Sequence, residues 1–232
     1  MRIRVGILLI VFAAACGGTP QAGGSSAASA SPSCTADGQN LTVTSADGYR
    51  RQAAVYGSGP AIVIAHQSGQ SRCDVVPVAR WLRDNHYAAM VVDLRGDWIG
   101  ILTAAIAAMR GRGSTSVQLL GASMGGCVAM VVASKVAPPV SSVVSLGGER
   151  RLSPEFDADA AVARSHVPLF IVTSENDGFL SRAEADALIG ESASTDKKSL
   201  ILPGSLHGLA MLDGPDGMRV RKAVLQFLAA HA

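Results

Sequence analysis

The 232-residue chain is poor in charge and in aromatic side chains, at 16% and 4% of residues, against 48% hydrophobic residues. Disordered chains and coiled coils need more charge and less apolar content, so neither is the main state. Lysine and arginine (20) nearly balance aspartate and glutamate (18), and no basic stripe or charged tail occurs. Nucleic acid is therefore excluded as the expected partner. No apolar run is long enough to span a bilayer, although the mean hydropathy is +0.29. The longest candidate, Val5–Ala15, would rise about 17 Å as a helix against a hydrocarbon core of about 30 Å. Cysteine is scarce as well: there are four, and no two have zinc-ligand spacing. No metal or organic cofactor is implied.

What is present begins with an export signal. Arg2 and Arg4 precede the short apolar run, which ends in small residues, the pattern of a secretory signal over residues 1–15. Ala13-Ala14-Ala15-Cys16 resembles a bacterial lipobox, which implies lipidation of Cys16 and a membrane contact made by that anchor alone. The expected location is the cell envelope, with simple secretion as the alternative. Residues 16–33 consist mainly of Gly, Ala, Ser, Thr, Pro and Gln. Without large apolar side chains to offset the entropy of ordering, they read as a tether. Residues 34–232 then form the folded part. An exported chain keeps disulfides, and Cys34 and Cys73, both near loop ends, are the natural pair. Cys127 reads as a buried small hydrophobe.

From about Thr35 onward, short β-branched runs alternate with longer helical ones. Strands are expected at 41–44, 52–56, 61–65, 88–93, 116–120, 142–146, 169–174 and 199–202. Helices are expected at 75–85, 97–110, 124–136, 182–189 and 217–230, with Pro138-Pro139 stopping the third. Buried-type strands alternating with amphipathic helices argue for an α/β fold, a mainly parallel sheet with helices on both faces. Right-handed crossovers then gather the strand-to-helix loops along one edge, where such folds bind ligands.

Chemistry concentrates on that edge. Gly121-Ala122-Ser123-Met124-Gly125 joins a strand to a helix, the setting in which a serine is held on a sharp turn with small neighbours. A serine nucleophile needs a base. His231 is penultimate and expected to fray, His86 ends a helix, His166 lies at the wrong edge, and His66 precedes the serine. His207, in the loop after strand 199–202, is the best candidate. The orienting carboxylate is expected from the end of strand 169–174, where Asp177 is favoured over Glu175, with Asp213 and Asp157 more remote.

The order Ser123, Asp177, His207 resembles the α/β-hydrolase superfamily, over nearly the whole of the chain from about Asn40. The resemblance implies a minimal α/β-hydrolase fold. It also implies that His66-Gln67-Ser68-Gly69 is the oxyanion loop, with the amides of Gln67 and Met124 as oxyanion donors and His66 structural. Asp93-Leu94-Arg95-Gly96 matches the family's Asp-x-Arg-Gly turn. Where the family often continues with Gly-His-Gly-x-Ser, this chain has Asp97-Trp98-Ile99-Gly100; Trp98 is expected to anchor its helix to the core, or else to line the mouth of the site. Only about twenty residues separate Gly148 from Val167, too few for a helical cap, so an open cleft is expected. Glu149-Arg150-Arg151-Leu152 is the one cluster of basic groups near this edge, read as a solvated loop or as a contact for an anionic substrate group. The function implied is a serine hydrolase acting on small or surface-bound acyl esters through an acyl-enzyme. Acyl transfer, peptidase or perhydrolase chemistry on the same triad, or a non-catalytic binding protein, are the alternatives. Dienelactone hydrolases generally use Cys where this chain has Ser123.

Overall fold

The computed structural model describes residues 33–232; the signal at 1–15, Cys16 and nearly all of the tether lie outside the described residues. Eight strands form one sheet: β1 (Gln39–Thr44), β2 (Arg50–Tyr56), β3 (Ala61–Ala65), β4 (Ala88–Val92), β5 (Val117–Ala122), β6 (Ser142–Leu146), β7 (Leu169–Ser174) and β8 (Lys197–Leu202). Their spatial order is β1-β2-β4-β3-β5-β6-β7-β8. The β1–β2 and β2–β4 pairs are antiparallel and the remaining five are parallel. The mainly parallel sheet is therefore as expected, with an antiparallel corner at its N-terminal end.

The central strands show why alternation is invisible in their sequences. β3, β4, β5, β6 and β7 are buried at every position, because helices cover both faces. Period-two geometry nonetheless sorts their side chains. Ala61, Val63 and Ala65 join one core with Met90, Leu119 and Ile171, while Ile62 and Ile64 join the other with Val91, Leu120 and Phe170. On the first face lie α2 (Trp98–Gly111), α3 (Met124–Ala133), α4 (Ala158–Val162) and α5 (Arg182–Glu191). The opposite face carries α1 (Val76–Asp84), α6 (Ala210–Asp213) and α7 (Gly217–Ala230). Each Val, Ile, Leu or Phe buried in these layers contributes about 1.5–3 kcal/mol. α3 is buried along its whole length, which only small and medium side chains permit at such close packing.

Several element boundaries differ from expectation by a few residues, and three differences have a local physical reason. α4 and α6 are too short for a helical period to show, and α4 is held by its cap, with Asp157 accepting from the Ala160 N–H at 3.0 Å. α3 ends at Ala133, before the proline pair, where the Ser134 hydroxyl bonds back to the Val131 carbonyl at 2.8 Å. β8 begins at Lys197 because its pairing with β7 extends to Leu169; lysines on this edge strand discourage pairing with another chain. Among the described residues no helix is long and apolar enough to cross a membrane.

Strand order reverses around β3: β4 lies on one side and β5 on the other. The carboxyl ends of β3 and β5 thus border the crevice where open α/β sheets take ligands. Two ties hold this edge. His66, just after β3, is buried, and its Nε2 accepts the Leu94 N–H at 2.9 Å while its Nδ1 bonds the Gln67 carbonyl at 2.9 Å. Cys34 and Cys73 form a disulfide, the expected pair, across 39 residues of sequence.

Closing a loop of that length restricts the unfolded chain by about 4 kcal/mol in the chain-entropy description. The Cys34→Ser/Cys73→Ser variant is expected to lose about 2–4 kcal/mol in urea unfolding; an unchanged midpoint would refute the stabilising role. His66 gives a pH dependence. Desolvation by burial holds its imidazole below the usual 6.5, against the opposing pull of the Gln67 carbonyl. As pH falls below 6.5 the unfolded chain therefore takes up a proton before the folded one, so stability declines with falling pH. Urea midpoints at pH 7 and pH 5 should show this decline, and His66→Asn should show a smaller one; equal declines would contradict it.

Candidate functional site

The backbone at Ser123 sets the site. Its φ of 50° and ψ of −123° place a non-glycine residue in a sparsely populated region. The turn is fixed from both sides: the Ser123 N–H donates to the Leu146 carbonyl at 2.9 Å, and the Ser123 carbonyl accepts from Gly126 at 2.8 Å. The flanking glycines are required by contact. A Cβ at Gly121 would sit 2.2 Å from the Gly125 carbonyl oxygen, and one at Gly125 would sit 2.3 Å from the Ala65 carbonyl oxygen. Without those glycines α3 could not start this close to β5 and β3. The hydroxyl of Ser123 accordingly stands at the N-terminus of α3, on the expected edge.

Asp177 and His207 meet over the ends of β6 and β7. His207 Nδ1 lies 2.9 and 2.8 Å from the two carboxylate oxygens of Asp177. Since a carboxylate only accepts, Nδ1 carries the proton and Nε2 is the free lone pair. The Asp177 carboxylate has no solvent exposure. It also accepts the Phe179 N–H at 2.9 Å and the Leu180 N–H at 3.4 Å. The Thr173 hydroxyl lies 3.3 Å from it but donates to the Leu180 carbonyl at 2.5 Å, which fixes the turn. The two loops are zipped together by the Ser174 hydroxyl on the Leu206 carbonyl (2.7 Å) and the Asn176 N–H on the Gly204 carbonyl (2.9 Å). Gly147, with φ of 60°, leaves room beneath the pair: a Cβ there would be 2.9 Å from His207 Nδ1.

The rival groups lie elsewhere. Glu175 is half-exposed and faces Arg182 at 3.7 Å, Asp157 caps α4, and Asp213 pairs with Arg221 at 2.6 Å. His166 bonds the Ala193 carbonyl at the opposite edge, beside a cavity of about 390 Å³ that contains Arg164 but not Ser123, Asp177 or His207. His231 corrects the expectation of fraying: it bonds Asp196 at 2.9 Å and the Phe227 carbonyl at 2.7 Å, and packs on the Phe227 ring.

Gln67 follows His66 at the end of β3, and Met124 opens α3. Neither backbone N–H makes a hydrogen bond among the described residues, so both are free donors. The Gln67 side chain has a use that the sequence did not disclose. Its Oε1 accepts the Leu209 N–H at 3.1 Å, tying this loop to the one that carries His207. Trp98 anchors its helix, packing against the first core and on Phe156 (4.9 Å between centroids), and it also lines a cleft of about 410 Å³ with His66, Ser68, Arg95 and Met124. In the Asp-x-Arg-Gly turn, Asp93 forms an ion pair with Arg72 and accepts the Arg72 N–H at 2.8 Å. Cys127 is buried with its thiol pushed up to about 12, first by burial and then by the Glu149 charge, so it stays protonated and inert.

Two further residues border the site: Phe179, which carried no signal in the sequence, and Glu149, which the sequence showed only as part of a basic cluster. Phe179 is 58% exposed and stacks on the His207 ring at 4.5 Å. Glu149, in the loop after β6, accepts the Ser123 hydroxyl at 3.4 Å. His207 Nε2 makes no hydrogen bond among the described residues. Between β6 and β7 the only helix is α4, so among the described residues this connection carries no helical cap.

No protein-family model and no curated protein matches the chain by sequence. Solved structures do match by shape. A Pyrococcus furiosus esterase is 15% identical with a TM-score of 0.75, covering 84% of this chain and 91% of its own. A monoacylglycerol lipase of Paleococcus ferrophilus is 14% identical with a TM-score of 0.66, covering 78% and 98%. A dienelactone hydrolase of Anabaena variabilis is 20% identical with a TM-score of 0.66, covering 83% and 99%. The eight-stranded sheet, its flanking helices and these likenesses together give the chain the α/β-hydrolase fold.

Proposed function

We propose that the chain is a serine hydrolase of acyl esters, with Ser123 as nucleophile, His207 as base and Asp177 as the group that orients it. The observation that carries this reading is the bond of His207 to the buried Asp177 carboxylate, with the free Nε2 of His207 at the same strand edge as Ser123. The hydroxyl, which rests on Glu149, must turn to His207 as substrate binds; triad hydrogen bonds commonly tighten only in the substrate complex. Ser123 Oγ then attacks the ester carbonyl while its proton passes to His207 Nε2. Asp177 stabilises the resulting imidazolium without taking the proton. The carbonyl oxygen, now negative, is met by the unused N–H groups of Gln67 and Met124, the second backed by the dipole of α3. His207 delivers its proton to the leaving alcohol. Water, activated in the same way, releases the acid and restores the serine.

The esterases and lipase of similar fold agree with hydrolysis of this kind. The Cys34–Cys73 disulfide supports the further proposal that the protein works outside the cytoplasm, exported by residues 1–15 and held at the envelope through Cys16. The tether would let the open cleft reach acyl esters at the surface or in solution.

Fluorophosphonate labelling followed by intact mass tests the nucleophile. One adduct per chain is expected, absent in Ser123→Ala; no adduct on folded protein would return the reading to a binding protein. Ser123→Ala and His207→Ala should each lower kcat/KM on short-chain esters by at least about three orders of magnitude. Asp177→Asn should also be strongly impaired and Glu175→Gln close to wild type; the reverse result would make the assigned acid wrong.

A further inference from the structure

The charge beside Ser123 is opposite to what the composition of its loop suggests. In Glu149-Arg150-Arg151 both guanidinium groups are engaged away from the site. Arg150 pairs with Asp159 at 2.7 Å and Glu191 at 3.3 Å, and Arg151 with Asp157 at 2.5 Å. Glu149 is half-buried and has no ion-pair partner among the described residues, and its carboxylate is what touches the Ser123 hydroxyl. A basic loop thus delivers a lone negative charge to the serine.

Sheet order decides where that charge stands relative to a bound ester. β3, which carries Gln67, flanks β5 on one side, and β6, which leads to Glu149, flanks it on the other. An ester whose carbonyl oxygen points to the free amides at the β3 side therefore directs one of its two substituents toward Glu149. When the serine hydroxyl turns to His207, the carboxylate loses its one hydrogen bond to the serine and is left facing that substituent. A partly desolvated carboxylate is stabilised by an ammonium group, gains nothing from a methyl group, and repels an acidic one.

We propose that Glu149 is a specificity-determining residue that selects acyl esters bearing an ammonium-type cation a few ångströms from the scissile carbonyl. The inference rests on the serine hydrolase reading above and names the substrate class of the same site. The chemical step is unchanged: the ester C–O bond breaks, the Ser123 acyl bond forms, and the alcohol leaves with the proton carried by His207.

The test uses neutral and cationic esters of one shape. Acetylcholine and 3,3-dimethylbutyl acetate differ only by the charge on the alcohol side; alanine and isobutyric acid benzyl esters differ by it on the acyl side. The quantity read is the ratio of kcat/KM for the cationic ester to that for its neutral counterpart, in the full chain and in Glu149→Gln. Because both rates come from one preparation, the ratio is insensitive to partial misfolding of the variant. The expected result is a fall of about tenfold or more in that ratio, in at least one pair, in Glu149→Gln. A ratio unchanged within about twofold in both pairs overturns the proposal, even where both rates drop together, since Glu149 would then act on the serine rather than on the substrate. Rates of labelling by a cationic and a neutral phosphonate of matched shape give the same ratio without turnover. Loss of labelling by both in the wild type would instead overturn the nucleophile assignment itself.

Discussion

The tight meeting of three backbones at Ser123 is the constraint on which the rest of this molecule depends. β5 must stop, the chain must reverse through a positive φ, and α3 must begin within contact of the carbonyls at the end of β3. Each requirement removes side chains: Gly121 faces Gly125, and Gly125 faces Ala65. The strain at Ser123 persists because the surrounding structure determines it, through bonds to Leu146 and Gly126 and an α3 buried along its length. The consequence is chemical, since the hydroxyl and the first amide of α3 are presented at one edge by a fixed backbone.

The second half of the site is built by pairing of loops rather than by strain. Inside the protein the Asp177 carboxylate accepts from two backbone N–H groups and an imidazole N–H, so burial costs it no unmet hydrogen bond. That arrangement chooses the tautomer of His207, and Phe179 covers one face of the ring. Gln67 then links the His207 loop back to the end of β3 through Leu209. The position held by glutamine is thus more than a spacer for its amide.

Charge is distributed with the same economy. The arginines after β6 are consumed in fastening α4 and α5 to the loop, and Glu149 alone is turned inward. A loop described by its net composition would be called basic, whereas the surface it offers the serine is acidic. Electrostatics at a site follow from which groups remain unpaired within a few ångströms, because paired surface charges are largely cancelled and screened.

The sequence by itself determined the order of the eight strands and of the five longer helices, the edge on which chemistry gathers and the identity of Ser123, Asp177 and His207 as candidates. Those features are local: a strand-to-helix glycine pattern, buried apolar runs and polar residues just beyond strand ends each carry their signal within a few residues. Tertiary structure alone decided the spatial order of the strands, because continuous apolar runs do not record which neighbour they pair with. It also brought Asp177, rather than Glu175, onto His207 across 30 residues, since two acids in one turn differ only in which way the turn points. The contacts of Gln67 with Leu209, of Phe179 with His207 and of Glu149 with Ser123 belong to the same class. Each joins loops from separate strands, and such a contact exists only once the sheet has set those strands side by side.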